Sequence, residues 1–303
     1  MRAMQNFDDW MKSVQAAMEQ ALMSCLPPAV QVPARLHEAM RYAALDGGKR
    51  VRPLLAFAAG ELFDAEAGAL ARAAAAVEMI HAYSLVHDDM PCMDDDALRR
   101  GKATVHVQYD QATALLTGDA LQAQAFLVLS ETDSLNDPAR QLAMMRLLAH
   151  AAGSLGMCGG QAIDLASVGV TLSLAELEQM HRLKTGALLR AAVLLGALCG
   201  KTLDQGETAA LEAYADAIGL AFQVVDDVLD ATADSATLGK TAGKDAADNK
   251  PTYVSILGLE PSRALAARLR DDAHHALVPF GTQLGNKAQR LRELADLIVQ
   301  RKA

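Results

Sequence analysis

Two aspartate clusters set inside apolar, helix-forming sequence constrain this chain more than any other feature. The first runs His87-Asp88-Asp89-Met90-Pro91-Cys92-Met93-Asp94-Asp95-Asp96 and is followed by Arg99-Arg100-Gly101. The second runs Gln223-Val224-Val225-Asp226-Asp227-Val228-Leu229-Asp230. An ionised carboxylate beside long apolar segments is costly to desolvate unless a cation or a proton neutralises it. A fold that holds both clusters therefore has reason to set them as opposite walls of one site around divalent metal. The alternative is a solvated acidic helix end, as at Asp271-Asp272 among its charged neighbours. The second cluster instead follows Leu220-Ala221-Phe222, which should be buried.

Hydrophobic residues make up 51% of the chain and aromatics only 4%, so the core must be aliphatic and alanine-rich. That favours helices, because β-branched and aromatic side chains are the usual material of strands. Helical periodicity covers 8–24, 34–45, 69–87, 111–131, 139–153, 174–199, 205–229, 261–278 and 286–301. Pro27-Pro28, Gly47-Gly48, Gly60, Asp64, Gly68 and a polar run over 132–138 punctuate these stretches. No strand alternation and no internal repeat is present. Residues 231–250, the least patterned, follow the second cluster and read as a loop or lid. No composition shift marks a boundary, so the expectation is one all-α domain over 1–303.

The net charge of −9 excludes a nucleic-acid binder relying on a basic surface. The four cysteines are scattered, with no CxxC or Cys/His zinc spacing, which suits free thiols in a reducing compartment. The N-terminal segment carries acids and no long apolar core, unlike a signal peptide, and Ala191–Gly200 is too short to span a bilayer. The expected location is cytoplasmic, without stable membrane insertion.

On a helix Asp226 and Asp230 face the same way, with Gln223 one turn before Asp227. Such an arrangement suits magnesium, which takes one or two carboxylates and completes its shell with water and phosphate oxygens. Asp88 and Asp94 differ by about 240° on a straight helix. Pro91 should break the helix there and could swing Asp94 back toward Asp88. His81, Ser84 and Asp88 share a face, with His81 about two turns beneath Asp88. Cations accompany these acids: Gly47-Gly48-Lys49-Arg50-Val51-Arg52-Pro53, Arg99 and Arg100, Lys184-Thr185-Gly186, and Lys240, Lys244 and Lys250. Glycine lets backbone amides approach an anion, and arginine contacts phosphate oxygens in pairs. Any one lysine alone reads as a surface charge. Together with metal-binding acids, the set describes pockets for more than one diphosphate.

The combination of GGKRVRP (47–53), EMIHAYSLVHDDMPCMDDDALRRGKATVH (78–106), LLTGDALQ (115–122), HRLKTGALL (181–189), FQVVDDVLD (222–230) and LGKTAGKDAADNKPTY (238–253) resembles the trans-isoprenyl diphosphate synthases. Within that family the similarity is greatest to the bacterial farnesyl diphosphate synthases. The resemblance spans nearly the whole chain, with the motifs in the family's order. It implies an all-α fold of about ten core helices around a central cavity, usually a homodimer. It also implies condensation of isopentenyl diphosphate with dimethylallyl and then geranyl diphosphate. Asp88 and Asp94, with Asp89 nearby, and Asp226, with Asp227 and Asp230 nearby, would chelate three Mg²⁺ on the allylic diphosphate, with Mn²⁺ as a substitute. Arg99, Lys184 and Lys240 would contact that diphosphate, and Thr185 and Gln223 would line the reacting centre. Lys49, Arg52, His81 and Arg100 would hold isopentenyl diphosphate, and Lys250 matches a lysine of the closing lid.

In the family a bulky residue at the fifth position before the first motif closes the cavity floor. Tyr83, with Ser84 beside it, is therefore expected to stop the product at fifteen carbons. Ala97 stands where bacterial relatives often carry an acid, and Ala103 replaces a frequent proline; neither is a proposed ligand. A terpene cyclase would lack Asp-Asp-x-x-Asp at the second motif and the second cation set. A non-catalytic partner subunit would have lost acids or arginines that are present here. A geranylgeranyl or geranyl diphosphate synthase is the enzymatic rival, separated by product length.

Overall fold

A computed structural model of the chain describes residues 5–131, 137–232, 250–281 and 285–301. Lys240, Lys244 and most of the expected lid lie outside the described residues. Helix α1 (Phe7–Cys25) opens on Asn6, whose side chain accepts from the Asp8 amide at 2.8 Å. It is followed by α2 (Ala34–Ala44), α3 (Val51–Leu62) and α4 (Ala67–Asp88). A turn region leads to α5 (Val105–Gln108), α6 (Gln111–Ser130), α7 (Pro138–Ala152) and α8 (Met157–Ala166). Helix α9 (Leu174–His181) runs through a π-helical turn, Arg182–Gly186, into α10 (Ala187–Gly200). The long α11 (Gln205–Thr232) carries the second aspartate cluster. Short α12 (Tyr253–Leu257), α13 (Leu259–Ala276), α14 (Val278–Gly281) and α15 (Gln289–Gln300) complete the fold.

Helix α4 sits at the centre because its sequence leaves it no solvent face. Ala73 to Ile80 are all buried, so the helix is covered on every side, by α6, α3 and α10. Alanine at four of those positions lets the neighbours approach closely. Helix α11 packs along α13 and against α10. One continuous cluster of buried side chains extends from Trp10 in α1 to Ile298 in α15.

The predicted helices are present, with boundaries moved by a few residues. Besides the short α5 and α12, two longer helices were not evident from periodicity. Helix α3 carries Pro53 in its first turn, where a missing N–H costs nothing. Helix α8 contains Gly159-Gly160, which suppress helix propensity. Gly160 is required there, since a Cβ would lie 2.1 Å from the Lys184 amide nitrogen. The predicted 174–199 helix is continuous, but it widens to a π turn at Lys184-Thr185-Gly186. That continuity corrects the length argument made for Ala191–Gly200. Leu174–Gly200, α4 and α6 are each long and apolar enough to cross a membrane by composition. The apolar windows of the first two are 67% and 72% buried within the protein, against 39% for α6. The only strand pairing among the described residues is a two-residue ladder, Leu98–Arg99 with Lys102–Ala103.

Candidate active site

The first cluster forms where α4 ends. Pro91 stops the helix, and the chain doubles back so that the Asp94 amide donates to the Asp88 carbonyl at 2.8 Å. The predicted swing of Asp94 toward Asp88 is therefore present. Asp88 is pushed up to about 6, first by burial and then by the like charges of Asp94 and Asp89, against the opposing pull of Lys184. Asp94 accepts from Lys250 at 3.2 Å. Asp89 is buried and grips Arg99 with both oxygens, at 2.8 and 2.9 Å from Nε.

Beneath Asp88 lies a cavity of about 370 Å³ lined by the side chains singled out from the sequence. Asp88, His81, Ser84 and Tyr83 come from α4, Arg52 from α3, and Lys184 and Thr185 from the π turn. Met93, Met157 and Leu165 supply apolar wall. Tyr83 is buried, its hydroxyl 3.4 Å from the Cys158 sulfur and its ring edge-on to His87. It is one of the residues that line the cavity. Lys184 is turned toward the buried Asp164, which accepts from it at 2.5 Å.

The Gly47-Gly48 turn exists to seat Arg100. A Cβ on Gly47 would fall 2.2 Å from an Arg100 guanidinium nitrogen, and Gly48 has φ +71°. Arg100 itself and Gly101 hold positive φ at the tip of the two-residue ladder. Arg50, the middle cation of the motif, is buried. It pairs with Glu78 at 2.6 Å, and with Glu19, and donates to the Ala44 carbonyl at 2.8 Å. This anchor leaves Lys49 and Arg52 on either side of it for other work. Among the described residues Lys49, Arg52 and Arg100 make no ion pair. Burial lowers the pKa of each, and the Arg52 Nε has no hydrogen-bond partner there. His81 is held well below its usual range by burial and then by Arg52, Arg100 and Arg99, so it stands neutral among cations.

The second cluster divides its labour. Asp226 pairs with Arg301, whose guanidinium lies 4.0 Å from the Phe222 ring centroid and donates to the Phe222 carbonyl at 2.8 Å. Asp226 does not line the cavity under Asp88. It faces Lys49 and Arg52, both of which feel its charge. Asp227 is buried and accepts from Gln223 at 2.9 Å and from the Tyr253 amide at 2.8 Å. Asp230 is buried. Thr185 donates to Gln223 at 3.4 Å, which links the second cluster to the cavity wall.

The acids offer hard carboxylate oxygens, the donor type that Mg²⁺ prefers. Among the described residues no three acidic, His or Cys side chains converge tightly enough to hold an ion alone. Substrate oxygens would therefore have to complete the shell, as magnesium sites with phosphates do. In the ligand-free protein the Asp226 carboxylate has the Arg301 guanidinium as its counter-charge. Four residues escaped the sequence reading: Asp164 on α8, Cys158 and Gln161, which line the cavity from the same helix, and Arg301. Asp164 stands in the apolar run GGQAIDLA, the same signal that exposed the two clusters. Arg301 has no local motif, and only the fold brings it to Asp226.

The polyprenyl synthetase family matches residues 33–278, and the chain belongs to that family. It is 50% identical over 266 residues to the farnesyl diphosphate synthase of Escherichia coli, covering 87% of this chain and 88% of that one. The geranylgeranyl pyrophosphate synthase of Catharanthus roseus is 44% identical, over 95% of this chain and 78% of its own. A crystal structure of an FPP/GFPP synthase from Zymomonas mobilis superposes with a TM-score of 0.86. It is 44% identical and covers 97% of this chain and 99% of its own.

Proposed function

We propose that this polyprenyl synthetase is a farnesyl diphosphate synthase, condensing isopentenyl diphosphate with dimethylallyl and then geranyl diphosphate. The observation that carries the reading is the set of cations that make no ion pair among the described residues, Lys49, Arg52 and Arg100, with Arg52 lining the cavity under Asp88. Such charges are tolerated where an anion is to be bound. The allylic diphosphate sits over the first cluster with Lys184 and Arg99 near it, and isopentenyl diphosphate takes Lys49, Arg52, Arg100 and neutral His81. Asp88, Asp94 and Asp226 would hold the magnesium, which would supply charge neutralisation for the departing diphosphate.

The allylic C–O bond breaks and its electron pair leaves with the diphosphate. The isopentenyl double bond attacks the allylic carbon, and the proton lost from the product passes to the released diphosphate. The chain's part is to exclude water from the apolar cavity and to align the alkene. Tyr83 blocks further growth at fifteen carbons. The leucines that α6 leaves exposed, Leu115, Leu116 and Leu127, support a homodimer in which a second copy covers this face. Four free thiols support a cytoplasmic location.

Incubation with labelled isopentenyl diphosphate, each allylic starter and Mg²⁺, followed by chromatography of the dephosphorylated products, tests the proposal. A fifteen-carbon alcohol is expected. A twenty-carbon product would shift the assignment to geranylgeranyl diphosphate synthase, and no product at all would indicate a non-catalytic subunit.

A further inference from the structure

Lys184 lines the cavity, yet its ammonium is bound to a carboxylate outside the cavity lining. That partner, Asp164, is buried on α8 and accepts from Lys184 at 2.5 Å. Gly160 lies four residues earlier, one turn away on the same face of α8. The two grip Lys184 at different points. Gly160 packs against its backbone, where a Cβ would lie 2.1 Å from the amide nitrogen, and Asp164 holds the end of its side chain. His181, which leads into the π turn, also feels the Asp164 charge, but burial pushes it down to about 4. It is uncharged near neutrality and leaves Asp164 to the lysine. An ammonium has three N–H donors. Among the described residues Lys184 uses one on Asp164 and none elsewhere, and 26% of its side chain remains exposed. A second carboxylate is within range of its charge, since Lys184 draws the Asp88 carboxyl downward. An ion pair this buried adds little to stability once desolvation is counted, so its use lies in what it holds in place.

We propose that Asp164 is a positioning residue for the allylic diphosphate: it holds the Lys184 ammonium off Asp88, with two N–H donors open to the diphosphate oxygens. Lysine carries its charge on a flexible four-carbon stem. Fixing that stem before the ligand arrives removes freedom that binding would otherwise have to freeze. Without Asp164 the ammonium is free to fold onto Asp88 and neutralise a carboxylate the metal needs. Isopentenyl diphosphate has its own cations in Lys49, Arg52 and Arg100, so the effect belongs to the allylic substrate alone. The inference rests on the proposed prenyl transfer, in which Lys184 touches the allylic diphosphate, and adds a residue that touches neither substrate.

The test compares Asp164→Leu, Asp164→Asn, Lys184→Gln and the double variant Asp164→Leu/Lys184→Gln in the full chain. Calorimetry measures binding of an unreactive thio analogue of geranyl diphosphate with Mg²⁺, and product formation gives KM for each substrate. Asp164→Leu keeps a similar shape and removes the acceptor. It should weaken analogue binding and raise the allylic KM about tenfold, with the isopentenyl KM within about threefold of the parent. Asp164→Asn keeps an acceptor oxygen in place and should lose less, about threefold. The double variant should match Lys184→Gln within about twofold, because Asp164 acts only through the lysine. Equal loss for both substrates, or a double variant much worse than Lys184→Gln, would make Asp164 a structural residue and overturn the proposal. If Asp164→Leu fails to fold, Asp164→Asn decides: a selective loss of allylic binding supports the proposal, and unchanged binding overturns it. Weakened binding in Lys184→Gln alone would overturn it while leaving the prenyl-transfer reading intact. No effect of Lys184→Gln would remove the diphosphate contact of Lys184 and the proposal with it.

Discussion

Asp88→Asn should stabilise the ligand-free protein while abolishing its turnover. Burial, reinforced by Asp94 and Asp89, lifts the Asp88 carboxyl from its ordinary 3.8 to about 6. The native state therefore binds more protons at this position than the unfolded state does between those two values. Stability falls as pH rises through that window, and the full penalty is present above about pH 6. Two pKa units and a fraction correspond to about 3 kcal/mol, an upper figure because water still reaches part of the side chain. For a chain of this length that is on the order of 5 °C in the unfolding midpoint. The assay is thermal unfolding of wild type and variant, free of metal and diphosphate, from about pH 4 to pH 8. The two should coincide at the acidic end and separate toward pH 8, with the variant higher. A variant less stable than wild type at pH 8, or a difference that does not depend on pH, would refute the reasoning.

Other consequences are equally open to measurement. Tyr83→Ala removes a ring from the cavity lining and should shift products beyond fifteen carbons, seen by chromatography; an unchanged profile would dismiss the proposed floor role. Glu78→Ala leaves the buried Arg50 with only Glu19 and the Ala44 carbonyl and should cost up to about 3 kcal/mol in denaturant unfolding. Gly160→Ala forces a Cβ onto the Lys184 backbone and should cost about 1–3 kcal/mol while depressing turnover through the displaced π turn. Arg301→Gln leaves Asp226 without its guanidinium, so calorimetry should show tighter magnesium–diphosphate binding; weaker binding would show that Arg301 serves the bound state instead.

Much of this architecture could be read from pattern alone, because alanine-rich periodicity dictates helices and buried acids announce a site. Pro91 foretold the break that returns Asp94 to Asp88, and the face shared by His81, Ser84 and Asp88 reappears in the cavity lining. What escaped was set by contact between distant segments. Helix α8 looked unlike a helix because Gly159-Gly160 serve close packing rather than propensity. The π turn at Lys184 breaks no hydrophobic pattern and left no trace in the sequence. The acids within each cluster also differ in their partners, which spacing does not show. Asp89 is taken by Arg99, Asp227 by Gln223 and Tyr253, and Asp226 by an arginine 75 residues further along the chain. Local spacing shows which side chains share a face, and only the tertiary fold shows what that face meets.

The most direct test is a crystal structure with Mg²⁺ and an unreactive allylic diphosphate analogue. The account predicts metal ions joining diphosphate oxygens to Asp88 and Asp94 on one side and to Asp226 on the other. Arg301 should be released from Asp226, and the hydrocarbon tail should descend toward Tyr83. A diphosphate bound away from both clusters, or metal confined to the first with Arg301 still on Asp226, would contradict it.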